Sequence, residues 1–258
     1  MTTRIRKTEA AGDAGDRALQ GQVALVTGSA RRIGRAIALA LARAGADVVV
    51  HYNRSRREAL EVVQESERLG VRAIALRADV AKPRDIEAMF ERLAKRFSRL
   101  DLLVNNAGVF FPARWDRLTE RDWDRVLGAN LTGPFFCAQA AARMMQAQER
   151  GQIINISSLG GIQPWPSYMH YCSSKAALIM LTKCLALALA PRILVNSIAP
   201  GTILFPGEER RFAKILRRIP LQKGGRDEDI AALVLFLAAR NRFITGQVFA
   251  ADGGAALV

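Results

Sequence analysis

The run Val23-Ala24-Leu25-Val26-Thr27-Gly28-Ser29-Ala30-Arg31-Arg32-Ile33-Gly34 decides the fold. Its first four residues are apolar without interruption, the pattern of a strand buried on both faces rather than on one. Residues 33–44 carry helical periodicity, and Gly45 stops them. Strand, glycine turn and helix in that order open a unit with a parallel crossover. Gly28 permits the tight turn, and Gly34 lets the helix begin close to the strand, so that its unpaired backbone N–H groups can face a pyrophosphate.

Working outward, apolar runs of strand length alternate with helical segments. Strands are predicted at 47–51, 72–77, 102–104, 152–156, 193–198 and near 247–249. Helices are predicted at 56–69, 83–97, 119–150, 168–190 and 227–238, with Gly70 ending the first and Pro83 opening the second. The fold class is therefore α/β: a doubly wound, Rossmann-like parallel sheet of seven strands in three layers. Ligands are expected outside the carboxyl ends of the strands, where the order switches between the first and fourth. Residues 21–258 are expected to form one domain, with residues 1–20 a solvated tail and residues 201–225 an insert placed to act as a substrate lid.

A chain of 258 residues, 50% hydrophobic, can build one such core. No apolar run approaches the roughly 20 residues that span a bilayer, since residues 178–190 are broken by Lys183 and end at Pro191. No membrane association and no secretory signal are expected. Cys137, Cys172 and Cys184 lack ligand or disulfide spacing and only two histidines are present, so no metal is expected and a reduced, cytoplasmic protein follows. Cys172 reads as a small buried thiol. The net charge of +14 is spread over most helices, densest from Arg210 through Arg211, Lys214, Arg217, Arg218 and Lys223 to Arg226. Solvated helix faces, or attraction of an anionic substrate or cofactor, account for it; no nucleic-acid site is expected.

Two local patterns carry chemistry. At the end of the second strand, a carboxylate would bind ribose hydroxyls and repel a 2′-phosphate. The chain instead has His51-Tyr52-Asn53-Arg54-Ser55, a guanidinium and a hydroxyl suited to a phosphate dianion, with Arg31 as a second cation. That favours NADPH; the alternative is a polar turn capped by Ser55. Tyr171 and Lys175 are four apart and emerge on one helix face. A phenol with a pKa of about 10 is brought toward transfer near neutrality by a neighbouring ammonium.

Together these segments resemble the short-chain dehydrogenase/reductase family, whose fingerprint is TG-x3-G-x-G, here with Arg32 for the middle glycine. Asp79-Val80, Asn105-Asn106-Ala107-Gly108 and Pro200-Gly201-Thr202 match further family segments, and the resemblance covers residues 22–254. It implies that Gly28, Arg31, Arg32, Ile33, Gly34, Asp79, Val80, Asn106, Ala107, Gly108, Tyr171, Lys175, Pro200 and Gly201 bind the cofactor beside residues 51–55. It also implies that Ser158 orients the carbonyl, Tyr171 is the acid, Lys175 holds the ribose and Asn130 supports a proton relay. Ser157 is a rival to Ser158, which family spacing to the tyrosine favours. A homotetramer is implied as well.

Arg32, the 51–55 turn and Val109-Phe110-Phe111 are similar to the pteridine reductase branch, which implies a flat pterin or dihydrofolate held by Arg32, Phe110, Ser158 and Tyr171. Phe110 would stack the ring against the nicotinamide. Buried packing is the other reading of Phe110. Ser158 stands where that branch often has an aspartate, and with the basic lid it suits a 3-oxoacyl carrier-protein reductase equally. Another ketone, aldehyde or quinone, or a sensor that binds NADPH without turnover, stays open.

Overall fold

A computed structural model describes residues 17–258; the first sixteen residues of the expected tail lie outside the described residues. Seven parallel strands, β1 (Val23–Val26), β2 (Asp47–Tyr52), β3 (Ala73–Arg77), β4 (Leu102–Asn105), β5 (Gly151–Ile156), β6 (Ile193–Pro200) and β7 (Val248–Ala251), form one sheet in the order β3-β2-β1-β4-β5-β6-β7. Helices α1 (Arg32–Arg43), α2 (Arg56–Arg68) and α8 (Asp227–Arg240) cover one face, while α3 (Pro83–Arg96), α5 (Gly133–Ala147) and α6 (Met169–Leu189) cover the other. Two hydrophobic clusters follow from this sandwich: Ala24 and Val26 point toward the first layer, Val23 and Leu25 toward the second. That is why β1 has no polar residue. Every one of its side chains is buried.

Register brings the carboxyl ends level. Val26 pairs with Val50 on one side and Val104 on the other, so the chains leaving β1, β2 and β4 open at one height and split apart above the switch. Residues 17–20, grouped with the tail by composition, form a turn in which Leu19 is buried in the first cluster and its N–H bonds the Ala44 carbonyl. Leu19 and the hydrogen bond from Arg17 to the Leu69 carbonyl anchor them.

The long helical stretch predicted over 119–150 divides into α4 (Glu120–Leu127) and α5, joined by a five-residue π turn at Gly128–Thr132. Thr119 and Asp122 close a reciprocal capping box at the start of α4. The expected insert contains one helix, α7 (Glu209–Leu216). By length and composition alone, α6 could cross a bilayer. Here Lys175, Leu178, Thr182 and Ala186 form its buried face, and it packs against β6 and α4. Burial is thus one-sided, with Met180 and Leu187 exposed.

Candidate active site

A cavity of about 660 Å³ opens at the β1/β4 switch. Its walls come from the turn after β1 (Gly28, Arg31, Arg32, Ile33, Gly34), the end of β2 (His51 to Ser55), the loop after β3 (Asp79, Val80) and the loop after β4 (Asn106, Ala107, Gly108). The structure therefore brings those sequence-chosen residues together. Pro200, Gly201, Tyr171 and Lys175 are not in its walls. Of these, Lys175 comes up to it at Gly108, where an added Cβ would lie 3.7 Å from Lys175 Nζ.

The glycines explain how the backbone approaches so closely. Gly28 has φ +66°, and a Cβ there would sit 2.9 Å from the Ala107 backbone. At Gly34 a Cβ would fall 2.4 Å from the Gly28 carbonyl oxygen, where the turn folds back onto the helix. Arg32 occupies the middle position with φ +52°, a left-handed conformation that costs a non-glycine residue about 1–2 kcal/mol. Its guanidinium lies over the Phe205 ring, 4.7 Å from the centroid, and its Nη2 is 3.8 Å from Glu208 Oε1. Arg32 thus reaches across the cavity mouth to the 201–225 insert.

Arg31 pairs with Glu58 at 3.3 Å and donates a hydrogen bond to Ser55 Oγ. Ser55 precedes α2 without a side-chain cap bond, so its hydroxyl belongs to this turn rather than to the helix end. Arg54 is exposed and pairs with no carboxylate among the described residues. His51 is buried, its ring bonded to Gly28 N and the Ala78 carbonyl, and burial pushes it down to about 4. It faces the turn, not the cavity alone. Thr27 Oγ1 accepts the Asn106 and Ala107 amides, and Asn106 Nδ2 donates to the Thr27 carbonyl at 2.9 Å.

Ser158 and Tyr171 meet at the carboxyl end of β5. Ser158 caps a short turn by accepting the Gly160 amide at 3.0 Å, and its hydrogen bond to Tyr171 pulls the phenol down. Burial outweighs that pull and pushes Tyr171 up to about 12. The expectation that Lys175 would bring the phenol toward neutrality is not met. Lys175 Nζ lies 5.8 Å from the Tyr171 ring centroid and donates to the Ile156 carbonyl at 2.7 Å, and burial lowers it to about 8. Desolvation of the phenolate is the largest influence on Tyr171.

The rival serine is otherwise engaged: Ser157 Oγ donates to the Ile198 carbonyl and accepts from Ser197 Oγ at 2.7 Å. Asn130 sits in the π turn, fully buried. Its Oδ1 accepts the Val109 amide at 2.7 Å, and its Nδ2 donates to the Val109 carbonyl and Ser174 Oγ. Its side chain therefore ties the loop after β4 to α6.

Phe110 is 56% exposed, so it is not core packing. One face stacks on Tyr168 at 4.5 Å and 4°, and it meets Tyr171 edge-on at 4.7 Å. Trp165 lies parallel to Tyr171 at 6.2 Å. Sequence spacing gives no role to Trp165, Tyr168 or Phe205; only the turn before α6 and the 201–225 insert bring them here. Cys137 is buried, Cys172 is half-buried rather than fully so, and Cys184 is exposed; all three are free.

Residues 28–256 match a family described as Enoyl-(Acyl carrier protein) reductase. The 3-oxoacyl-[acyl-carrier-protein] reductase of Synechocystis sp. is 43% identical over 241 residues, covering 92% of this chain and 98% of the relative. A short chain dehydrogenase from Burkholderia cenocepacia J2315, solved in complex with NADP, has 41% identity and a TM-score of 0.87, over 92% of this chain and 99% of that one. A blue fluorescent protein from a metagenomic library, solved with NADPH, is 37% identical with a TM-score of 0.87, over 93% and 99%.

Proposed function

Given that the chain belongs to the short-chain dehydrogenase/reductase family and is an NADPH-dependent oxidoreductase, we propose that it reduces the 3-oxo group of an acyl thioester. The observation that carries this is the 43% identity to a 3-oxoacyl-[acyl-carrier-protein] reductase along nearly the whole of both chains, with Ser158, Tyr171 and Lys175 assembled in one site. The exposed basic residues of the lid, Arg210, Arg211 and Lys214 among them, suit an acidic carrier.

The cavity fits the cofactor: a glycine turn too tight for any Cβ would receive the pyrophosphate, and unpaired Arg54 with Arg31 and Ser55 would receive the 2′-phosphate. Asp79 and Val80 would line the adenine, while Asn106 to Gly108, Pro200 and Gly201 would lead to the nicotinamide. When bound, NADPH supplies a hydride to the carbonyl carbon. Ser158 orients the carbonyl oxygen, and Tyr171 Oη gives that oxygen its proton, leaving an alcohol. A phenol pushed up to about 12 is fully protonated at neutral pH, which suits the reductive direction. Lys175 holds the Ile156 carbonyl and would reach the ribose beside Gly108. The relay role of Asn130 rests on its place in the π turn.

Exposed Phe110 favours a second reading, a pterin or dihydrofolate stacked on it. Tyr168 covers one face of its ring, so a heterocycle would use the other. With NADPH present, an acetoacetyl thioester is expected to react faster than biopterin, dihydrobiopterin or dihydrofolate. The reverse order, with Phe110→Ala lowering kcat/KM for the pterin by about tenfold, would select the second reading. Inertness of the whole panel, and of simple ketones, aldehydes and quinones, in single turnover would point to an NADPH sensor.

NADPH is expected to bind at least about tenfold more tightly than NADH, equivalent to about 1.4 kcal/mol, and Arg54→Ala should erase most of that preference. Titration of both cofactors checks it; equal affinities in the wild type remove the phosphate role of Arg54. The implied homotetramer is supported by the apolar residues α6 leaves exposed, Met180 and Leu187. The three free thiols suit a reducing, cytoplasmic setting.

A further inference from the structure

His51 stands one residue past the level at which Val50 pairs with Val26, and it pairs with Leu76 of β3. It is 2% exposed, at the height where the chains of three neighbouring strands leave the sheet. Its Nδ1 accepts the Gly28 amide at 2.9 Å, so the ring proton must be on Nε2, which donates to the Ala78 carbonyl at 3.1 Å. Its own backbone joins the arrangement: His51 N donates to Ser29 Oγ, and Ser29 N donates to the His51 carbonyl.

The two ring contacts fall on the two loops that would hold the pyrophosphate and the adenine of the cofactor. Gly28 begins the pyrophosphate turn, while Ala78 immediately precedes Asp79 on the adenine side. The peptide after His51 leads into Arg54 and Ser55. Because the Gly28 N–H is committed to the imidazole, it is not free for a phosphate oxygen, and the ring acts by fixing where the next amides point. A hydrocarbon of similar volume would fill the space but hold neither loop.

We propose that His51 is a positioning residue for NADPH, a neutral imidazole strut that sets the spacing between the pyrophosphate turn and the adenine loop. The inference rests on the NADPH cofactor and not on which carbonyl is reduced. It differs from direct cofactor contact in its signature: the adenine half of the ligand should sense the change, and the nicotinamide half should not.

The test uses the full chain with His51→Leu, His51→Asn and His51→Gln. Calorimetric Kd values are measured for NADPH, 2′,5′-ADP and reduced nicotinamide mononucleotide, with hydrogen exchange at the Gly28 amide. An asparagine oxygen can replace Nδ1 and keep the Gly28 bond; a glutamine nitrogen can replace Nε2 and keep the Ala78 bond. His51→Leu is expected to weaken NADPH and 2′,5′-ADP by about tenfold or more, since it strands two buried groups, and to speed Gly28 exchange. His51→Asn and His51→Gln should fall between leucine and wild type, with only the asparagine keeping Gly28 slow to exchange. Binding of the mononucleotide should stay within about twofold in all. If the leucine variant does not fold, the asparagine and glutamine variants decide: both must weaken 2′,5′-ADP more than the mononucleotide. Wild-type affinity for 2′,5′-ADP in the folded variants, or equal losses for both halves of the cofactor, overturns the proposal.

Discussion

Tyr171→Phe is expected to cut kcat by about two orders of magnitude or more while changing the Kd of NADPH by no more than about twofold. The substitution removes one hydroxyl and keeps the ring, which still meets Phe110 edge-on and lies parallel to Trp165. What disappears is the phenolic hydroxyl that shares a hydrogen bond with Ser158. Lys175→Ala should instead lower both kcat and NADPH affinity, because it deletes the group that bonds the Ile156 carbonyl beside Gly108. Steady-state rates and a fluorescence titration on the same samples separate the two effects. A phenylalanine enzyme that keeps most of its kcat would show that another group supplies the proton.

The second large effect concerns stability in acid. In the unfolded chain the His51 imidazole takes its proton near 6.5, but in the folded chain burial delays this to about 4, against small opposing pulls from the Ala78 carbonyl and the Asp79 charge. As pH falls between those values the unfolded chain binds more protons, so the folded state loses stability from about 6.5 downward and the loss levels off below about 4. At about 1.36 kcal/mol per pH unit, this amounts to roughly 3 kcal/mol from this one group. His51→Gln cannot titrate and should show a shallower acid dependence than wild type, whatever its stability at neutral pH. Urea unfolding of both proteins at pH 7 and pH 4.5 makes the comparison. Parallel losses in the two would assign the acid sensitivity to other groups.

The order of strands and helices was legible because the parallel sheet makes its strands apolar on both faces and punctuates them with glycine and proline. Gly28, Gly34, Tyr171 and Lys175 were legible because their spacing along one turn or one helix is itself a statement about three dimensions, whereas Asn106 was marked by its resemblance to a family segment. The π turn was not, since one extra residue leaves the apolar rhythm of 119–150 nearly unchanged. Nor was the aromatic group around Tyr171: Phe110 follows β4, and Trp165 and Tyr168 precede α6, so their contact exists only after β4 and β5 pair. The electrostatics of Tyr171 and Lys175 were misjudged for a related reason. Spacing places the two groups on one face but says nothing about how deeply each is buried.

The five residues between α4 and α5 also have a mechanical meaning. One added residue per turn rotates everything beyond it by about 100° relative to an uninterrupted helix. The rod can therefore present one side to α6 through α4 and a different side to α3, β4 and β5 through α5 without breaking. Asn130 rides at the joint, fastened to Val109 and Ser174. Deleting or inserting a single residue here would swing one half of the rod off its neighbours, so the length of this turn is fixed by the packing on both sides of it.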